Sequence, residues 1–359
     1  MVRSIDPARL KNAWAGRISG CLLGKPVEVL SYQEGPAGLR SYLYRAGALP
    51  LRDYVPAVEG SLVASRWRSC CRGKIARFEA DDDINYTVLA LLLLEAEGTA
   101  FDVADVARLW LNRLPAGATW TAERAAYATL LARMDSEFVN GADAGFDLAD
   151  CADNHYSDWI GAQIRADLYG WVCPGDPELA ADLAIRDGSL SHRGEGLNGA
   201  AFVAAWGAAV PTVDSPDAAI DVALDCIPVA SDTAAAVRFG RHAAARELGA
   251  GCIHAEFAGL PPVHTINNLA IVVWALCNAN GAFDRAIGEC VLAGLDTDSN
   301  AATVGGLAGL AGFPIAAKWT EPWAGRVGVD LSGEPELELK QLVARTVAVA
   351  RRIPERRAA

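Results

Sequence analysis

The sequence predicts an all-α protein, a single compact multi-helix domain with long surface loops. Three observations carry that reading. Apolar residues recur at helical spacing along most of the chain, and regular strand alternation is hard to find. Two clusters of acidic residues each stand directly ahead of a long apolar stretch. Hydrophobic residues make up 52% and charged residues 21%, which excludes a disordered or fibrous chain. At 359 residues, with no internal repeat, linker or low-complexity tract, the chain is expected to form one domain over 1–359.

Taken in order, Leu10, Trp14, Ile18 and Leu22 fall at steps of four and mark the face of a first helix. A second spans 83–97, with Gly98 placed to end it. Further helices are predicted at 103–114, 122–134, 177–186, 197–209 and 216–226. The C-terminal half continues with 233–248, 266–278, 283–292, 299–311 and 334–352. Several open on Pro, Ser, Thr or Asp, ordinary chemistry for a first turn. The stretches 36–77 and 311–334, rich in Gly, Pro, Trp and Arg without period, read as long loops, with room for one short hairpin.

Charge and composition narrow the partners. The 32 Lys and Arg against 44 Asp and Glu leave a formal net charge of −12. Apart from Arg351-Arg352 and Arg356-Arg357 at the C-terminal end there is no strong basic run, so nucleic acid is not an expected partner. The apolar run 87–94 ends at Glu95, far short of the roughly 20 residues a membrane span needs. The uncharged stretch 301–317 is broken by four glycines and Pro314, which suits close helix packing. No signal peptide is expected from the first residues, and nine scattered cysteines without Cys-x-x-Cys suit thiols in a reducing cytoplasm.

The informative chemistry lies in Asp81-Asp82-Asp83 and in Asp296-Thr297-Asp298-Ser299. Either cluster alone is adequately explained as capping and helix-dipole charge. Together they place oxygen ligands at the mouths of two apolar helices, and oxygen without His or Cys favours Mg²⁺ or Mn²⁺ over zinc. If the two helix ends meet, Asp81, Asp82, Asp83, Asp296, Asp298 and Ser299 can hold two divalent cations about 3.5–4 Å apart.

On these residues the chain resembles the ADP-ribosylglycohydrolase family. Asp81-Asp82-Asp83-Ile84 stands where that family has Thr-Asp-Asp-Thr, and Asp296-Thr297-Asp298-Ser299 matches its Asp-x-Asp-Thr/Ser. Gly20-Cys-Leu-Leu-Gly-Lys-Pro-Val-Glu28 is similar to the early Gly-Asp-x-x-Gly-x-Pro-x-Glu segment. Gly161-Ala-Gln-Ile-Arg165 is similar to the mid-chain Gly-Ala-x-Met-Arg segment, and Ser191-His192 to a Thr-His pair. The resemblance implies an all-α fold, a binuclear Mg²⁺ or Mn²⁺ centre, and cleavage of the glycosidic bond at the anomeric carbon of a ribosyl or ADP-ribosyl group. It implies Glu28 beside the scissile bond, and Gly161, Gln163 and His192 near the substrate; Trp159, just ahead of that segment, is a candidate stacking surface for a base or leaving group. The chain departs from the pattern at Asp81, Ile84, Cys21 and Ile160.

Vicinal ribose hydroxyls chelate paired hard cations well, and nearby carboxylates stabilise an oxocarbenium-like transition state. The proton acceptor is then Glu28 or one of Asp81, Asp82 and Asp83, with no basis in sequence for choosing. The substrate is a modified protein or a free nucleoside-like metabolite, and the altered positions tilt the reading toward the small molecule. Lys25 is the one candidate for contacting a diphosphate. A catalytically inactive structural or binding relative is the remaining alternative, opposed by the retention of Asp82, Asp83, Asp296 and Asp298.

Overall fold

Burial follows the helical spacing from the first turn. Leu10, Trp14, Ile18 and Leu22 are all buried, on a helix that Asp6 opens by accepting from the Ala8 amide. The computed structural model describes residues 6–353, so the Arg356-Arg357 tail lies outside the described residues. The first half carries α1 (Pro7–Gly24), α2 (Glu28–Arg45), α3 (Leu62–Arg66), α4 (Asp82–Glu97), α5 (Val103–Arg113) and α6 (Thr121–Arg133). Then come α7 (Asp167–Val172), α8 (Pro177–Gly188), α9 (Gly194–Ala209), α10 (Ala218–Leu224), α11 (Asp232–Ala245) and α12 (Gly251–Glu256). The chain closes with α13 (Thr265–Cys277), α14 (Phe283–Ala293), α15 (Thr297–Leu310) and α16 (Leu339–Arg352).

Three helices are buried all round along most of their length, as a helix apolar on every side must be: α4 from Asp83 to Leu94, α13 through Leu276, and the whole of α15. Around α15 pack α1, α14, α13, α7 and the start of α4. The α1–α15 contact is the closest. A Cβ placed on Gly16, Gly20 or Gly24 would lie 2.0, 1.9 or 2.2 Å from the carbonyl oxygens of Gly305, Ala301 and Thr297. Glycine at every fourth position of α1 thus lets two backbones touch, and Thr297 Oγ1 donates to the Gly24 carbonyl at 2.9 Å to pin the register. The glycines of 301–317 do pack closely, Gly305 and Gly309 meeting α1 in the same seam.

Two of the sequence expectations are corrected. Within the expected loop 36–77, residues 36–45 and 62–66 are helical. Gly35, at φ 64°, breaks α2, and Pro36 restarts it in a first turn, where its missing N–H costs nothing. Residues 334–338 are strand, not helix. β1 (Arg326–Leu331) and β2 (Glu334–Glu338) form an antiparallel hairpin turned at Gly333, with φ 83°. Its glutamates find arginines: Glu336 pairs with Arg326 and Arg77, and Glu334 with Arg113 and Arg345. No disulfide joins any of the nine cysteines, and among the described residues no helix is long and apolar enough to cross a membrane.

Candidate active site

The seam between α1 and α15 carries its last turns directly into the site. A Cβ on Gly24 would also lie 2.4 Å from the Asp298 amide, so the end of α1 rests on the first turn of α15. Four residues on, α2 begins with Glu28, and Tyr32 follows one turn later on the same face. The start of α4 closes the other side. Asp81 caps that helix, its Oδ1 accepting from the Asp83 amide at 3.1 Å, so of the three consecutive aspartates one does the capping and two are left over. At α15 the capping position is Asp296, with Asp298 and Ser299 in the first turn.

The two helix mouths meet. Glu28, Asp296 and Asp298 each bring a carboxylate oxygen within 4.8 Å of the others, and Cys21, Asp81 and Asp83 do the same with their ligand atoms. Asp82 senses the charges of Asp81, Glu28 and Asp296, which places it between the groups. Ser299 leans on Asp296, its hydroxyl drawing that carboxyl down.

Burial and mutual repulsion dominate the electrostatics. Burial, then the charges of Asp296 and Asp81, pushes Glu28 up to about 8, with Tyr32 and Lys25 pulling the other way. Burial and neighbouring carboxylates hold Asp82, Asp83 and Asp298 well above the ordinary range, and burial raises Asp296. Asp81 alone moves down. Burial would raise it, but the Lys25 ammonium, 2.9 Å from Oδ2, outweighs that effect.

Oδ1 of Asp83, of Asp296 and of Asp298 is buried with no hydrogen-bond partner. Orphaned buried carboxylate oxygens are costly; Asp83 Oδ1 faces the Arg17 guanidinium at 3.6 Å, which leaves the pair on Asp296 and Asp298 for a divalent cation to satisfy. The residues therefore fit Mg²⁺ or Mn²⁺, with Glu28, Asp296 and Asp298 as one oxygen-only ligand group.

The residues expected near the substrate lie on a second wall. The turn Gln163–Arg165 packs against α4, α9 and α15. Arg165 is buried and pairs with Glu123 at 2.8 Å and Asp187 at 3.2 Å, while also donating to Ser191 Oγ. Gly161 meets this network edge-on, since a Cβ there would lie 2.2 Å from Glu123 Oε1. His192 is fully buried, Nδ1 2.8 Å from Ser191 Oγ and Nε2 3.8 Å from Glu123, and burial holds it neutral, well below its ordinary value. Gln163 accepts from Thr265 Oγ1 and leaves its own amide nitrogen unpartnered. Trp159 is partly exposed, edge-on to Tyr156 at 4.6 Å. Glu123 links this wall to the acidic cluster, its charge adding to the rise of Asp82.

Several organising residues carried no sequence signal. Asn268 holds α13 to the α15 mouth. Its Oδ1 accepts from the Asp296 amide at 3.2 Å and from Asn300 Nδ2 at 2.7 Å, and its Nδ2 donates to the Pro262 and His264 carbonyls. Arg17 is buried at the other mouth, bonded to Asp167, Thr87 and the carbonyls of Asp83 and Ile164. A lone arginine or asparagine on an apolar helix gives no hint of partners far away in sequence.

Fold and site together define a predominantly helical protein with a clustered set of carboxylates that could hold a metal ion. The chain belongs to the ADP-ribosylglycohydrolase family, whose sequence model matches residues 3–352. It is similar in fold to a solved structure described as an ADP-ribosylglycohydrolase-related protein complex. The TM-score is 0.51 at 16% identity, over 96% of this chain and 98% of that one. No curated protein matches it in sequence. Membership makes this chain one of a family of glycosyl hydrolases that are generally metal-dependent.

Proposed function

We propose that this chain is a divalent-metal-dependent glycosidase that hydrolyses the bond at the anomeric carbon of a ribosyl or ADP-ribosyl group. The observation that carries the reading is the approach of carboxylates from separate helix mouths, with Asp296 Oδ1 and Asp298 Oδ1 buried and unpartnered. Mg²⁺ or Mn²⁺, held there by Glu28, Asp296 and Asp298 with Asp82, Asp83 and Ser299 alongside, would supply positive charge and a seat for a sugar diol. The protein's own groups do the rest. Asp82 and Glu28 face the cluster interior and stabilise positive charge developing at the anomeric carbon. Burial and neighbouring carboxylates raise Glu28 to about 8 without a cation, and a bound dication would favour its ionised form, the one able to accept a proton. Trp159, partly exposed, offers an aromatic edge for stacking, and Gly161, Gln163 and His192 shape the wall behind it.

One observation favours a compact substrate. Lys25 is buried against Asp81 and is not free to meet a diphosphate. Diphosphate contacts would fall instead to Arg66 and Arg77, which line a cavity of about 380 Å³ that also reaches Lys25.

The test is product release by mass spectrometry from ADP-ribosyl-arginine, ADP-ribosyl-serine, nucleosides and nucleotides, with Mn²⁺ and with chelator. Metal-dependent release of ADP-ribose, ribose or ribose phosphate supports the reading and identifies the leaving group. Turnover that survives both chelation and Asp298→Asn would end it.

A further inference from the structure

The two carboxylate groups are not equally in need of a metal. At the α15 mouth, Asp296 Oδ1 and Asp298 Oδ1 are buried without partners. Among the described residues, no lysine or arginine nitrogen lies within 4.0 Å of Glu28, Asp296 or Asp298. The α4 mouth is already served. Asp81 Oδ2 lies 2.9 Å from Lys25 Nζ, and Asp81 Oδ1 accepts from the Asp83 amide, so both oxygens of that carboxylate are engaged. Asp83 Oδ2 accepts from the Cys21 thiol at 3.7 Å, and Asp83 Oδ1 faces Arg17 at 3.6 Å. The third member of this group, Cys21, offers a soft sulfur that suits Mg²⁺ and Mn²⁺ poorly.

Lys25 is fixed in place. Its ammonium has three N–H donors, and Asp81, the Ala80 carbonyl and the Glu79 carbonyl take them. The same nitrogen sits 5.5 Å from the Trp67 ring centre and 6.0 Å from that of Phe78, within reach of both π systems. At 5% exposure the residue has little room to swing away. A dication at Asp81 would have to share its carboxylate with this ammonium and suffer its repulsion in a site of low dielectric.

We infer that Lys25 takes the place of one of the two cations, so that the protein holds a single divalent ion at Glu28, Asp296 and Asp298. This rests on the reading of the cluster as a Mg²⁺ or Mn²⁺ site, and it changes the number of ions rather than the reaction. Asp81, which stands where the resembling motif has threonine, and Lys25 then act as a matched pair: one adds a charge and the other cancels it.

The number of bound ions tests this directly. Purified, chelator-stripped protein would be titrated with Mn²⁺ by calorimetry and followed by electron paramagnetic resonance, beside Lys25→Ala and Asp298→Asn, each checked for folding by circular dichroism. The expected result is one Mn²⁺ per chain with an isolated six-line spectrum in the wild type, two in Lys25→Ala, and none in Asp298→Asn. Two exchange-coupled ions in the wild type would overturn the inference and leave the glycosidase proposal standing. A single ion in both wild type and Lys25→Ala would overturn the role of Lys25, and an ion retained in Asp298→Asn would overturn its location. Failure of all three proteins to bind Mn²⁺ would overturn this inference and the metal-dependent reading together. If Lys25→Ala does not fold, the wild-type spectrum and the Asp298→Asn count decide the matter.

Discussion

The mouths of α4 and α15 look alike in sequence, each a run of aspartates ahead of an apolar helix, and differ in what surrounds them. At α4 a protein cation answers the capping carboxylate, because Lys25 arrives from the turn after α1. At α15 the carboxylates face one another and Glu28 with no such answer. Acidic residues at a helix start are therefore not one kind of feature. Their role depends on which distant residues the fold delivers to them, and only the unanswered group demands something from outside the chain.

That contrast makes predictions of opposite sign. Asp81→Asn leaves Lys25 buried without its partner and is expected to destabilise the protein by about 3–5 kcal/mol in urea unfolding. Asp298→Asn instead removes a repelled charge, so the chelated protein should unfold at higher urea than wild type. Loss of stability in that variant would place the two mouths on the same footing and break the comparison.

The next effect comes from the seam that joins α1 to α15. Gly24→Ala puts a methyl group against the Thr297 carbonyl and Asp298 amide, a clash expected to cost about 1–3 kcal/mol and to weaken Mn²⁺ binding. Unchanged Mn²⁺ affinity would show that the α15 mouth is positioned from elsewhere. Asn268→Ala strips the Asp296 amide and Asn300 of their shared acceptor. It should cost about 1–2 kcal/mol, seen as a lower urea midpoint with unchanged slope.

The smallest effect is one of pH. Without a cation, folded Glu28 titrates near 8 against an ordinary value of 4.5, so between these the folded state binds the extra proton. Stability of the chelated protein should fall as pH rises through that window. Added Mn²⁺ favours the ionised form, and its shift of the melting temperature should be larger at about pH 8.5 than at about pH 5.5. A shift independent of pH would remove Glu28 from the ion's surroundings.

Much of this was legible because it is local. The helical spacing of Leu10 to Leu22 and the apolar run after Asp83 announce their helices, and the paired acidic motifs announce where to look. The second strand of the hairpin was hidden because Glu334 and Glu336 suit a helix start as well as a strand, until arginines from other segments are brought beside them. The second half of α2 was hidden by Gly35-Pro36, which resembles a stop and is a bend with an immediate restart. Lys25, Asn268 and Arg17 were out of reach for a different reason. Their partners lie 56, 32 and 150 residues away in the chain, as Asp81, Asn300 and Asp167, and nothing in their own neighbourhoods names them.

The glycine seam has a further consequence for how the site keeps its dimensions. Where side chains separate two helices, the gap follows rotamers and widens or narrows as they hop. Between Gly16, Gly20 and Gly24 and their counterparts on α15 there are no rotamers to hop, and peptide planes rest on peptide planes. The spacing from Glu28 to Asp298 is accordingly referenced to covalent geometry, as in a gauge whose two jaws share one frame. Substitutions and thermal agitation elsewhere in the core can then be absorbed without reaching the distance on which selection of a small hard ion depends.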